Sequence, residues 1–137
     1  MAEAVGNGVV ALAVVGAHLS GMPLNHELRS HEAQFVETIP TAPEYRLYAL
    51  PGTTPPKPGL LRVAPQGGNA IEVEVWAMPA EPFGRFVAAI PPPLSIGSIK
   101  LADGRIVKGF LVEAEAVNGA RDISDFGGWR NFVAPPK

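Results

Sequence analysis

The sequence predicts an α+β fold: about six or seven short strands, in a sheet curled towards a barrel, with two or three flanking helices. Three observations carry that expectation. Apolar residues recur in strand-length runs rather than long helical stripes. The 15 glycines and 15 prolines cut the 137-residue chain into short elements. Asp103-Gly104 lies between two strand-like segments, Ile96 to Ala102 and Arg105 to Glu113, and is a strong hairpin signal.

Taken in order, Val9-Val-Ala-Leu-Ala-Val-Val15 is a continuous apolar run ending at a glycine, which suits a strand buried on both faces. Leu24, Leu28, His31 and Phe35 then share one helical face, with Glu27, Arg29 and Glu32 elsewhere and Pro23 at the first helical position. Thr38 to Pro43 reads as a loop. Tyr45, Leu47 and Ala49 alternate with Arg46 and Tyr48, predicting a strand over Glu44 to Leu50. Pro51 to Gly59 is too rich in proline for regular structure, and Gly59 to Val63 is a short strand candidate.

After a turn at Gln66 to Asn69, Ile71, Val73, Val75 and Ala77 alternate with Glu72, Glu74 and Trp76, the pattern of a half-buried strand. Trp76 then lines a cleft or packs under a loop. Phe83, Phe86, Val87 and Ile90 fit a second helix, stopped by Pro91-Pro-Pro93. Asp122 to Phe132 suggests a capped helical turn, and Gly127-Gly-Trp-Arg130 within it is either a lid or a packing plug.

Composition excludes several function classes. Charged residues are 18% of the chain against 47% hydrophobic, and the net charge is -2 with no basic cluster, so nucleic acid is not an expected partner. There is no cysteine, which removes disulfides and thiolate metal sites. The run from Val9 to Ala17 is short, Glu3 precedes it, and no Lys or Arg occurs before Arg29, so neither a signal peptide nor a membrane span is expected. The expectation is one cytoplasmic domain over residues 1–137.

The candidate site is the turn after the first strand. A glycine turn leading into a helix exposes backbone N–H groups that suit a carboxylate or phosphate. It has neither nucleotide-binding spacing. His18 there is a candidate general acid or anion ligand, or a ring that closes the turn by hydrogen bonding. His31 is expected to be a partly buried, hydrogen-bonded residue and His26 a solvated one. The three histidines lack the spacing of a helical zinc site, so no metal or other cofactor is expected. Glu81 either complements the second helix dipole or works as an acid or base. Arg46 and Arg85 either grip an anionic substrate or are surface cations.

The string Gly16-Ala-His-Leu-Ser-Gly-Met-Pro-Leu-Asn25 resembles the start of the C-terminal domain of allophanate hydrolases. So do Tyr45-Arg-Leu-Tyr-Ala-Leu50, Lys57-Pro-Gly-Leu60, Phe83-Gly-Arg-Phe86, Pro93-Leu-Ser-Ile-Gly97, Gly109-Phe-Leu111 and Gly127-Gly-Trp-Arg130. The resemblance runs in order from about Val9 to Phe132. It implies a γ-glutamyl cyclotransferase-like fold, a small mixed β-barrel with flanking helices. Cyclotransferases bind substrate in a turn patterned Y-G-S/T-L-x-x-G, where this chain reads Val15-Gly-Ala-His-Leu-Ser-Gly21.

The resemblance therefore implies substrate-binding residues among Gly16, Ala17, Leu19, Ser20, Gly21 and Asn25, helped by Arg46 or Arg85. His18 and Glu81 are the implied catalytic residues. It further implies decarboxylation of a small anionic N-carboxylated amide, made by an amidase partner in trans. A γ-glutamyl cyclotransferase-like reaction using Glu81, and a non-catalytic module that binds an amidase, are the alternatives.

Overall fold

The computed structural model describes residues 8–134, so Glu3 and the rest of the extreme N-terminus lie outside the described residues. Two open sheets carry the architecture. The larger has five strands in the order β2-β5-β1-β7-β6: β1 (Val9–Val14), β2 (Gln34–Pro40), β5 (Glu72–Pro79), β6 (Leu94–Lys100) and β7 (Ile106–Val112). The smaller is β4-β3-β8, built from β3 (Tyr45–Ala49), β4 (Pro58–Arg62) and β8 (Arg121–Asp122). Helices α1 (Asn25–Ser30), α2 (Ala80–Ala88) and α3 (Trp129–Val133) flank them.

The apolar run at the start occupies the centre of the larger sheet. β1 pairs antiparallel with β5, from Val9↔Pro79 to Val14↔Glu74, and parallel with β7 through Leu12 and Ala13. With a neighbour on each side, Leu12, Ala13 and Val14 are wholly buried. The hairpin of β6 and β7 turns at Asp103-Gly104, where Gly104 takes a φ of 92° and the Arg105 N–H donates to Asp103. One core joins the sheets: Leu12, Val75 and Trp76 belong to the same cluster as Tyr45, Leu47, Leu60 and Ile123.

Four expectations need correction. The sheet does not close into a barrel: among the described residues the edges β2 and β6 do not pair as strands, and a single bridge, Thr41↔Leu101, links the ends beyond them. The first helix does not reach Phe35. It begins at Asn25, with Pro23 outside it, and ends at Ser30 with His31 as its cap, after which Glu32 takes a φ of 65° and turns the chain. Phe35 then lies on β2, half-exposed, and the stretch read as a loop from Thr38 contributes the rest of that strand. Finally, β5 is buried on both faces from Val73 to Trp76: Ser20 and Arg130 cover Glu74, Phe35 and Arg29 pack on Trp76, and both are as enclosed as Val73 and Val75.

α2 forms where the Phe83–Ile90 spacing places it, with Phe86 buried against the core. Trp129 of α3 is also buried, so the Gly127–Arg130 segment is a packing plug.

Candidate functional site

The chain leaves β1 at Gly16 and makes a tight turn before α1. A side chain at Gly16 is sterically impossible without movement: a Cβ there would lie 2.2 Å from Cδ and 2.5 Å from Cγ of Pro58. This close approach joins the turn to the start of β4. The Leu19 N–H donates to Gly16 O, Met22 to Leu19 O and Leu24 to Ala17 O, and Gly21 supplies a φ of 80°. The Asn25 side-chain amide donates to His18 O at 2.8 Å, tying the turn to α1.

Between turn and β4 lies a cleft of about 320 Å³ including its open mouth. It is lined by the turn residues Val15 to His18, the segment Lys57, Pro58 and Leu60, and Leu94 and Phe110 across from them. The surroundings are largely apolar, with Lys57 the cation. No described carboxylate lines it. The N–H groups of Gly16, Ala17 and His18 donate to no other described residue.

His18 is 9% exposed. Its ring stacks on Phe110, with centroids 4.9 Å apart and planes 18° apart, and meets the edge of Phe86 at 5.4 Å. Nε2 donates to Glu27 Oε1 at 2.8 Å. Burial pushes the imidazole pKa below its ordinary value; the hydrogen bond and charge of Glu27 act upward, and the charges of Lys57 and His26 act downward. Burial therefore favours the uncharged ring.

Behind the turn lies a second carboxylate. Glu74, only 4% exposed, accepts at Oε1 from the Ser20 N–H, the Ser20 hydroxyl and Trp76 Nε1, and at Oε2 from Arg130. Arg130 also donates to Ser20 O at 2.7 Å. Burial alone would raise the Glu74 pKa, but the bonds from Ser20, Arg130 and Trp76 together hold it below the ordinary carboxylate value. All four donors are satisfied, and the turn is fixed to β5 and α3.

Of the sequence candidates, Gly16, Ala17 and His18 meet at the cleft. Leu19 is buried in the core, Ser20 has its N–H and hydroxyl committed to Glu74, Gly21 shapes the turn, and Asn25 braces it. Glu81 and Arg85 pair with each other on the exposed side of α2, and Arg46 bonds Gly67 O and Asp122; none of these three lines the cleft. His31 is partly buried with Nδ1 donating to Glu27 O, and exposed His26 donates to Pro23 O. Lys57 at the cleft, Glu27 beside His18 and Glu74 behind the turn were not assigned to the site by sequence reasoning, and Arg130 entered it only as part of the Gly127–Arg130 segment. Lys57 did stand within a string that carried the family resemblance.

The allophanate hydrolase C-terminal domain model matches residues 10–134. The chain belongs to that family. The urea amidolyase of Lachancea kluyveri is 43% identical over 127 residues, covering 90% of this chain and 7% of that protein. The allophanate hydrolase of Kluyveromyces lactis is 44% identical with a TM-score of 0.88, covering 93% of this chain and 21% of that one. A uropathogenic E. coli-specific protein is 34% identical with a TM-score of 0.85, and the likeness covers 98% of that chain. An AIG2-like protein from Mus musculus, 16% identical with a TM-score of 0.59, shares the fold. The chain thus spans under a tenth of the curated relatives it matches. The cleft thus gathers His18, Lys57 and the residues Gly16 to His18, whose N–H groups have no partner among the described residues.

Proposed function

We propose that this domain releases CO2 from a small N-carboxylated amide, within urea- or allophanate-type nitrogen metabolism, and works beside an amidase supplied in trans. The observation that supports this reading is the position of His18, at the boundary between an apolar cleft and a ring nitrogen that can carry a proton. The open N–H groups of Gly16 to His18 and the Lys57 ammonium hold the carboxylate or carbonyl oxygens of a planar substrate. Val15, Leu60, Leu94 and Phe110 keep water from one side.

In the reaction the C–N bond breaks and its electron pair stays on nitrogen. The carboxylate becomes neutral CO2, and nitrogen takes one proton. His18 Nδ1 takes that proton from solvent at the mouth of the cleft, becoming an imidazolium, and delivers it to the nitrogen as the C–N bond breaks, which returns the ring to its neutral Nε2–H form. Charge localised on the carboxylate in the ground state spreads as the bond breaks, so a largely apolar cleft with one lysine among its lining residues favours the transition state over tight binding. A γ-glutamyl substrate would bring an α-ammonium to a cleft that offers it a lysine and no carboxylate, and Glu81 lies off the cleft in a surface ion pair.

The test is CO2 release from the freshly generated product of an allophanate-specific amidase, with and without this protein. Acceleration over the spontaneous rate that is lost in His18→Ala supports the decarboxylase. An unchanged rate with wild-type protein refutes it, and binding to the amidase would then mark an assembly module.

A further inference from the structure

His18 faces two ways. An ionised carboxylate only accepts hydrogen bonds, so the 2.8 Å contact with Glu27 requires the hydrogen on Nε2. A neutral imidazole has one N–H, which leaves Nδ1 as a lone pair. Nδ1 bonds no other described group, and no fully buried side-chain nitrogen or oxygen among the described residues lacks a partner, so Nδ1 keeps access to solvent on a residue that lines the cleft. The ring is held against rotation by Phe110 on its face and Phe86 at its edge.

The carboxylate is held as firmly as the ring. Asn25 at the start of α1 bonds His18 O, Leu24 N–H bonds Ala17 O, and Leu28 of the same helix is buried. These links fix Glu27, on α1, relative to the His18 backbone. The other two histidines lack this arrangement, since His26 and His31 both donate to backbone carbonyls.

We propose that Glu27 is the positioning residue of this site: it holds His18 as the Nε2–H tautomer and so presents Nδ1 to the substrate. The role of Nδ1 in turnover rests on the decarboxylase reading; the tautomer does not. The charged and titratable groups facing His18 are Glu27 and His26 from α1 and Lys57 from the segment before β4, while α2 and β7 contribute only the rings of Phe86 and Phe110. Of these, Glu27 alone favours the imidazolium.

The experiment is ring-nitrogen NMR on the full chain, for wild type, Glu27→Leu, Glu27→Asp and the control Glu32→Gln. In wild type at neutral pH, His18 should show a protonated Nε2 and an unprotonated Nδ1. In Glu27→Leu the tautomers should mix and the His18 titration midpoint should fall, with the backbone amide spectrum otherwise preserved because the Glu27 side chain is 42% exposed. Glu32→Gln should change neither.

In the CO2 assay, Glu27→Leu should lower kcat by roughly tenfold to a hundredfold with little change in KM, and Glu27→Asp should recover part of it. A hydrogen on Nδ1 in wild type, or an unmoved tautomer and midpoint in Glu27→Leu, would overturn the proposal. So would a rise in KM with kcat intact. If wild type releases no CO2 at all, the decarboxylase reading fails, and the tautomer result still decides the role of Glu27.

Discussion

Replacing Glu74 by glutamine changes almost no volume, which makes it a clean probe of the bond network behind the turn. Wild-type Oε1 accepts from three donors and Oε2 from Arg130 at 2.7 Å. A glutamine has one oxygen. Its best orientation keeps that oxygen on Ser20 and Trp76 and turns its NH2 towards the Arg130 guanidinium, so a charge-assisted bond becomes two opposed donors. Loss of a hydrogen bond to a charged group costs about 1.5–3 kcal/mol. Arg130 is 37% exposed on its side chain and can turn to water, which places its share at the low end. The three remaining bonds lose their ionic strengthening, so the total comes to about 3 kcal/mol, or roughly a 10 °C fall in Tm.

The pH dependence gives a sharper check. The folded Glu74 pKa is depressed, so its stabilisation is complete above the unfolded carboxylate range and is lost as pH falls through the folded pKa. Glutamine does not titrate. Urea unfolding at neutral pH and at steps down through the carboxylate range should therefore show the gap between wild type and Glu74→Gln narrowing as pH falls. A loss below about 1 kcal/mol at neutral pH, or a gap that stays constant, would refute the network as drawn.

Gly16→Ala should cost about 1–3 kcal/mol, measured by urea unfolding, because its Cβ would have to displace the rigid Pro58 ring that also forms the cleft wall. Lys57→Met should raise the His18 titration midpoint, since the lysine charge pushes it down, and should raise KM in the CO2 assay by about tenfold. Glu81→Gln should leave both thermal stability and CO2 release unchanged, because the exposed Glu81–Arg85 pair is remote from the cleft; a strong loss of turnover would return Glu81 to the chemistry.

What could be read from the chain was what local patterns determine. β1, the Asp103-Gly104 hairpin and α2 each follow from a run, a turn dipeptide or a helical spacing that neighbours reinforce. β2 failed because the spacing of Leu24, Leu28, His31 and Phe35 mimics a longer helix. The left-handed Glu32 ends it, and Val36, Thr38 and Ile39 then carry β-branched strand preference that only pairing with β5 makes decisive. His18 was legible because glycine turns before helices are recognisable. Lys57 was not, since a lysine in a proline-rich loop gives no sign that the loop folds back onto Gly16. Alternation placed Glu74 on a solvent face, and its actual partner, Arg130, lies 56 residues away.

The turn is therefore held by two carboxylates that do different work. Glu74 is enclosed, saturated with donors and unable to exchange any of them for water, so its removal is paid in stability. Glu27 is 42% exposed on its side chain and makes one bond to His18, so water can replace it at little cost to folding, but water does not dictate which ring nitrogen carries the hydrogen. It follows that the two should separate experimentally. Glu74→Gln should lower stability while leaving the His18 tautomer as it is in whatever fraction remains folded, and Glu27→Leu should change the tautomer while moving stability by less than about 1 kcal/mol. Parallel losses in both variants would mean that the turn is a single cooperative unit in which order and proton placement cannot be divided.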